Sequence, residues 1–162
     1  MGNREGESAL ELFARREYAT VVAAVARITG DTHGASDAVQ DAVLGFLENP
    51  PRHPVDNLAA WLTVVAINKQ RDRRRRTLAE GRALARFGLP AETAVEPHSL
   101  DADMRAAIGA LPARQREICV LHYVLDESVD TIAGRLDVSS GSVKTHLFRG
   151  RRALAARLVA GP

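Results

Sequence analysis

Apolar residues recur along this chain at the three-to-four spacing of helices, and the alternation of β-branched and aromatic residues that marks strands is missing. In "ALELFARREYATVVAAVARIT" Leu12, Phe13, Val21, Val25 and Ile28 predict one helix that Gly30 closes. Past "GDTHGAS" a second helix is expected, with Ser36 as N-cap and Val39, Val43, Leu44, Phe46 and Leu47 on its apolar side. The three prolines of "ENPPRHPVDN" end it. A third helix runs from about Leu58 through "INKQRDRRRR".

Periodicity then fades over residues 78–102, where Gly, Pro, Glu and Ala accumulate, and this stretch reads as a linker with one or two helical turns. Three further helices follow in "PARQREICVLHYVL", "SVDTIAGRL" and "SGSVKTHLFRGRRALAARL". The pattern predicts an all-α chain of two small helical domains, over residues 8–77 and 103–159, joined by a flexible linker.

The last two helices, separated by "LDVSS", have the layout of a helix-turn-helix. Val129, Ile132, Ala133 and Leu136 form one stripe, and small Ala133 permits a close crossing. Ser139 or Ser140 is placed to cap the following helix. In that helix Val143, Leu147, Gly150, Leu154 and Leu158 share a narrow stripe that should pack inward. Ser142, Thr145, Phe148, Arg149 and Arg152 then face outward, with Lys144 and His146 on the flanks. Hydroxyls, guanidinium groups and an exposed ring suit base edges, thymine methyls and phosphates in a major groove.

Charge changes the picture only once it is mapped. The net charge is +2, yet Lys69, Arg71, Arg73, Arg74, Arg75 and Arg76 against Asp72 give a local +5. Lys144, Arg149, Arg151, Arg152 and Arg157 give another +5 with no acid nearby, so the remainder carries −8. Two concentrated basic segments on an acidic body point to contact with a polyanion.

The length of 162 residues suits two small domains rather than a large enzyme with an elaborate pocket. The single cysteine, Cys119, has no partner for an internal disulfide, which favours a reducing compartment. No apolar run nears the roughly 18 residues of a membrane span. The start "MGNREGESALELF" has no signal-peptide core, and Gly6 stands where a myristoylation pattern needs Ser or Thr. A cytoplasmic protein without membrane insertion is expected. Cys119 and His122 lie at i and i+3 but are two ligands without others to close a metal site, so core packing is expected of them. No phosphate-binding glycine loop or catalytic constellation is present, and neither a metal, a cofactor nor an enzymatic activity is expected.

With the basic segments placed, "ASDAVQDAVLGFL", "NLAAWLTVVAINKQRDRRRR" and "ALPARQREICVLHYVLDESVDTIAGRLDVSSGSVKTHLFRGRRAL" resemble the extracytoplasmic-function (group IV) class of bacterial sigma factors. The resemblance implies a sigma region 2 in the first half and a helix-turn-helix sigma region 4 in the second. Core RNA polymerase, through its β′ clamp helices and β flap, and promoter DNA would be partners, with an anti-sigma factor where one exists. Asp37, Gln40 and Asp41, at i, i+3 and i+4, would face the clamp. Asn68, with loop residues Arg52, His53, Asp56 and Asn57, would capture the minus-ten element. Asn offers a donor and an acceptor to a base edge. Lys69, Arg71, Arg73, Arg74, Arg75 and Arg76 would hold the DNA backbone, and the outward face of the last helix would read the minus-thirty-five element.

The chain departs from the family pattern at Ser36, where Glu is common, and at Lys69, Arg71 and Arg74, where apolar side chains are frequent. Asp137 takes a turn position usually held by Gly, and His146 one where Arg is common. Two other readings stay open on the residues: a stand-alone helix-turn-helix regulator, and a paralogue that binds polymerase or an anti-sigma protein without initiating transcription. The first has no use for the clamp-like acids, the proline-rich loop and Asn68 together.

Overall fold

The computed structural model describes the backbone of residues 2–85 and 102–159 and the side chains of residues 9–81 and 103–159. Among the described residues there are eight helices and no strand, as the apolar spacing predicts. The first half holds α1 (Gly2–Arg16), α2 (Tyr18–Thr29), α3 (Thr32–Glu48) and α4 (Leu58–Ala85). The second holds α5 (Ala102–Gly109), α6 (Ala113–Tyr123), α7 (Val129–Leu136) and α8 (Ser140–Val159).

The single helix expected before Gly30 is two. A continuous helix would put Glu17 about 20° from Ala24, in the middle of the face that Val21, Ala24, Val25 and Ile28 bury. The chain bends at Glu17 instead, leaving that carboxylate exposed, while Phe13 packs edge-on against Tyr18 with ring centroids 6.2 Å apart. Gly30 closes α2 in the left-handed region (φ 76°), its N–H reaching the carbonyl of Ala26 at 2.8 Å.

The start of α3 also differs from expectation. Asp31, not Ser36, is the N-cap, accepting from the Gly34 N–H at 2.9 Å. Ser36 lies a turn inside the helix, where its hydroxyl bonds the Tyr18 hydroxyl at 3.0 Å. Gln70 of α4 donates to Asp31 Oδ2 at 2.7 Å, and a Cβ on Gly34 would come within 2.4 Å of that same oxygen. The glycine therefore makes room for the tie between α3 and α4.

Alanines let α2, α3 and α4 approach closely. Ala24, Ala35, Ala38, Ala42, Ala59, Ala60 and Ala66 are all buried around Leu62 and Ile67. Asn57 caps α4 by accepting from the Ala60 N–H at 3.0 Å. The helix then continues through Ala85, two turns into the segment expected as linker. The rest of that segment, up to residue 101, lies outside the described residues.

The second half contains α5 in addition to the three helices expected. Ile118, Cys119, Val120 and Leu121 are buried in succession, so α6 is covered on all sides. Gly150 brings α8 onto α6, since a Cβ there would stand 2.4 Å from Cys119 Sγ. Ser128 caps α7 by accepting from the Thr131 N–H at 3.1 Å. Asp137 ends α7 at φ 53°, ψ 52°, a left-handed turn that glycine would adopt with less strain. Of the two serines considered as cap for α8, Ser139 does it, accepting from the Ser142 N–H at 3.1 Å. Ser140 instead donates to Asp130 Oδ1 at 2.7 Å.

The two halves pack together through α2 against α5 and α6. Nothing in the apolar pattern announced this contact, and it is polar at its rim: Arg116 of α6 donates to the Ile28 carbonyl at 3.0 Å.

Candidate nucleic-acid interface

The helix-turn-helix is held rigid from behind. Glu127, exposed to only 4 %, accepts from Arg135 Nε at 2.6 Å, and His122 Nδ1 meets the Glu127 carbonyl at 2.7 Å. This buried pair fixes the turn before α7 to the end of that helix. Sequence reasoning missed it because the partners are eight residues apart, one before α7 and the other in its last turn.

Along α8, Val143 and Leu147 are buried and Leu154 is half-buried, while Leu158, expected inside, is 44 % exposed near the helix end. Lys144, Thr145, Phe148, Arg149 and Arg152 are exposed; Ser142 and His146 are half-buried. Thr145 spends its hydroxyl on the Gly141 carbonyl at 2.9 Å. The Arg152 guanidinium lies over the Phe148 ring, 5.8 Å from its centroid, which holds a flat cation against an aromatic face. Among the described residues, no carboxylate pairs with Lys144, Arg149 or Arg152.

The basic run of α4 is arranged differently. Trp61, Val64 and Val65 are half-buried, with Trp61 edge-on to Phe46 at 5.5 Å, and Asn68 one turn on is exposed. Arg71 forks onto Glu117 of α6, Nη2 to Oε2 at 3.1 Å and Nη1 to Oε1 at 3.4 Å. Arg73 is paired with Asp41 of α3. Lys69 lies beside Gly45 of α3. Arg74, Arg75 and Arg76 are exposed, and Arg75 stands 3.8 Å from Asp72. Two of the positions where the family tends to be apolar, 69 and 71, are thus the ones covered by neighbouring helices.

The loop before α4 presents Arg52, His53 and Asp56 to solvent. Asn57 is half-buried and occupied: besides capping α4, its Nδ2 donates to the Leu125 carbonyl at 3.2 Å. On α3, Asp37 and Gln40 are exposed, with Gln40 Nε2 donating to the Tyr18 hydroxyl at 3.3 Å. Asp41 is turned towards α4 by Arg73, so the three polar residues expected on one face are divided between two tasks. Beside them, Leu44 and Leu47 are about half exposed and border an apolar groove with Leu10, Phe13 and Ala14 of α1.

Cys119 is a core residue whose thiol pKa burial pushes up, and no group of three or more metal-ligating side chains occurs among the described residues. Desolvation lowers the pKa of Arg116, whose guanidinium also donates to the carbonyls of Gly109 at 2.6 Å and Leu111 at 3.0 Å.

The chain matches the sigma-70 region 2 family over residues 13–79 and the sigma-70 region 4 family over residues 101–154. The first match holds α2, α3 and the Asn68 segment of α4; the second holds the helix-turn-helix. The chain belongs to the sigma-70 family as an ECF-type sigma factor.

It is 28 % identical over 148 residues to the ECF RNA polymerase sigma factor SigW of Bacillus subtilis (strain 168), covering 82 % of this chain and 79 % of the relative. The fold is similar to that of the sigma factor RpoE in its complex with the anti-sigma factor NepR from Bartonella quintana. That likeness has a TM-score of 0.73 at 24 % identity and covers 96 % of this chain and 99 % of the other. CnrH in complex with the cytosolic domain of CnrY is similar at TM-score 0.62 and 28 % identity, covering 94 % of this chain and 88 % of the other. The sigma factor is an alternative one that directs transcription initiation. No helix among its described residues is long and apolar enough to cross a membrane.

Proposed function

We propose that this sigma factor is a group IV member that works in the cytoplasm, binds core RNA polymerase and opens promoters without a catalytic centre of its own. Residues 8–77 act as region 2, residues 103–159 as region 4, and residues 78–102 as their connection. The observation that carries the reading is the exposure of Asn68 at the end of the half-buried stripe of α4, just before the basic run.

Strand opening costs a few kcal/mol of unpairing and unstacking, which capture of a displaced base must recover. Asn68 is the base-capturing residue, helped by Arg52, His53, Asp56 and Asn57 of the adjoining loop. Lys69, Arg71, Arg73, Arg74, Arg75 and Arg76 contribute sequence-independent affinity for phosphates. Ser142, Lys144, Thr145, His146, Phe148, Arg149 and Arg152 meet the minus-thirty-five duplex. Asp37 and Gln40 dock on the β′ clamp helices, joined by Asp41 once it exchanges Arg73 for a clamp cation, and region 4 sits on the β flap. An anti-sigma factor is a further partner in this reading: the similarly folded RpoE is in complex with the anti-sigma factor NepR, and CnrH is in complex with the cytosolic domain of CnrY.

In vitro transcription with core RNA polymerase and a promoter library tests this reading. Promoter-dependent transcripts are expected. Tight duplex binding without polymerase and no transcript would instead describe an operator-binding regulator, and polymerase binding with no transcript a paralogue that does not initiate.

A further inference from the structure

Among the described residues, polar ties join the two halves at Arg71, Asn57 and Arg116, and the first two are residues given DNA-binding work above. Arg71 of α4 forks onto Glu117 of α6 at 3.1 and 3.4 Å. Asn57 donates to the Leu125 carbonyl at 3.2 Å and its own carbonyl accepts from Arg135 Nη2 at 3.4 Å. Arg116 reaches the Ile28 carbonyl at 3.0 Å.

The Arg71 tie has the chemistry of a phosphate contact. A guanidinium presents a planar fork that fits two oxygens of a carboxylate or of a phosphate equally well. Glu117 is exposed to only 1 %, so leaving its charge unpaired would be costly. It would not be unpaired if Arg71 left, because Arg114, on the next turn of the same helix, also donates to Glu117 Oε2 at 3.1 Å. Arg71 itself is 37 % exposed and, among the described residues, pairs with no second carboxylate. The pair can therefore be broken from the α4 side without stranding the buried acid.

We infer that Glu117 is an internal stand-in for a promoter phosphate: in the free chain it holds Arg71 and closes the two halves on each other, and DNA competes with that closure. Contact of Arg71 with DNA and contact of Arg71 with Glu117 exclude one another, so closure weakens DNA binding and DNA binding weakens closure by the same factor. Any partner that separates the halves hands Arg71 and Asn57 to the promoter. The DNA half of this inference rests on the proposed role of α4, and the experiment separates the two.

The test uses the free full-length chain. Small-angle scattering reads its radius of gyration, and fluorescence anisotropy reads binding of a fluorescein-labelled 20-base-pair random duplex at several salt concentrations. Glu117→Gln should expand the chain and steepen the salt dependence by about one phosphate contact, a slope change of roughly 0.9. Adding Arg71→Ala to that variant should return the slope to the wild-type value. Should Glu117→Gln loosen α6, Asn57→Ser carries the same test, since Ser still caps α4 but gives up the amide donated to Leu125. Its expansion and steepening should be smaller but of the same sign. Unchanged scattering in these variants overturns the inference, and so does expansion with an unchanged slope. The α4 reading has its own control: Arg75→Ala and Arg76→Ala, outside all three ties, should flatten the wild-type slope, and no change there defeats that reading alone.

Discussion

In α4, Arg71 and Arg73 hold carboxylates of α6 and α3, whereas in α8 no described carboxylate holds Arg149 and Arg152 lies over the Phe148 ring. The two helices carry similar charge in sequence but present it differently. The cations of α8 are displayed by a helix that its own half makes rigid. Part of the charge on α4 is spent inside the protein, on acids that only the tertiary fold brings near. A basic helix is thus ready for DNA, or held back from it, according to where the acids of other elements fall.

The sharpest way to probe that contrast is to remove one acid from each half. Glu127→Ala leaves the largely buried Arg135 with no carboxylate, only the Asn57 carbonyl, and should cost about 3 kcal/mol of stability in urea unfolding, the lower end for a buried pair that loses one partner. Asp41→Ala, which frees the more exposed Arg73, should cost no more than about 1 kcal/mol. Equal losses would mean that the two pairs are equally embedded, against the difference in burial.

Packing behind α8 comes next. Gly150→Ala puts a methyl group against Cys119 Sγ and should destabilise by about 1–3 kcal/mol. Adding Cys119→Ala, which removes the sulfur, should restore part of that loss in the same unfolding measurement.

Because α8 is displayed and α4 is partly engaged, Arg149→Ala should act on duplex recognition directly. A loss of about 1–3 kcal/mol in binding of the preferred minus-thirty-five duplex by the reconstituted holoenzyme, with relaxed sequence preference, is the expected outcome in competition assays. A uniform loss across all sequences would make Arg149 a phosphate contact.

The smallest effect concerns the far end of the α3–α4 pair. The Gly34 N–H, and then Gln70, hold the Asp31 carboxyl below its ordinary value of 3.8, against a raising effect of burial. A carboxyl whose pKa is lowered on folding stabilises the fold above the unfolded value, and that contribution disappears as pH falls through the lower folded value. Acid unfolding followed by circular dichroism should therefore start at slightly lower stability, with a shallower pH dependence below about pH 4, in Asp31→Asn.

The legible and illegible parts of the molecule divide by sequence distance. Most of the stripe of α8, an N-cap from the Ser139–Ser140 pair and the closure of α2 at Gly30 depend on neighbours within a few residues, so period and residue type are enough to find them. The break between α1 and α2 is masked by the apolar periodicity on either side of it, which continues in phase across Glu17. Ser36 lost the cap to Asp31 because the helix starts a turn earlier, where Gln70 from α4 supports the aspartate. The tie between Arg71 and Glu117 spans 46 positions and links segments on either side of the linker. No local pattern marks it, and Glu117 in isolation looks like any acid in a helix.

The division of work between the two helices is tested most directly by Asn68→Ala in transcription from one promoter supplied both as intact duplex and with its minus-ten region already unpaired. Loss of transcription from the duplex, recovery on the unpaired template and unchanged binding to the minus-thirty-five duplex are the results predicted. An equal defect on both templates would contradict a role for Asn68 confined to strand opening.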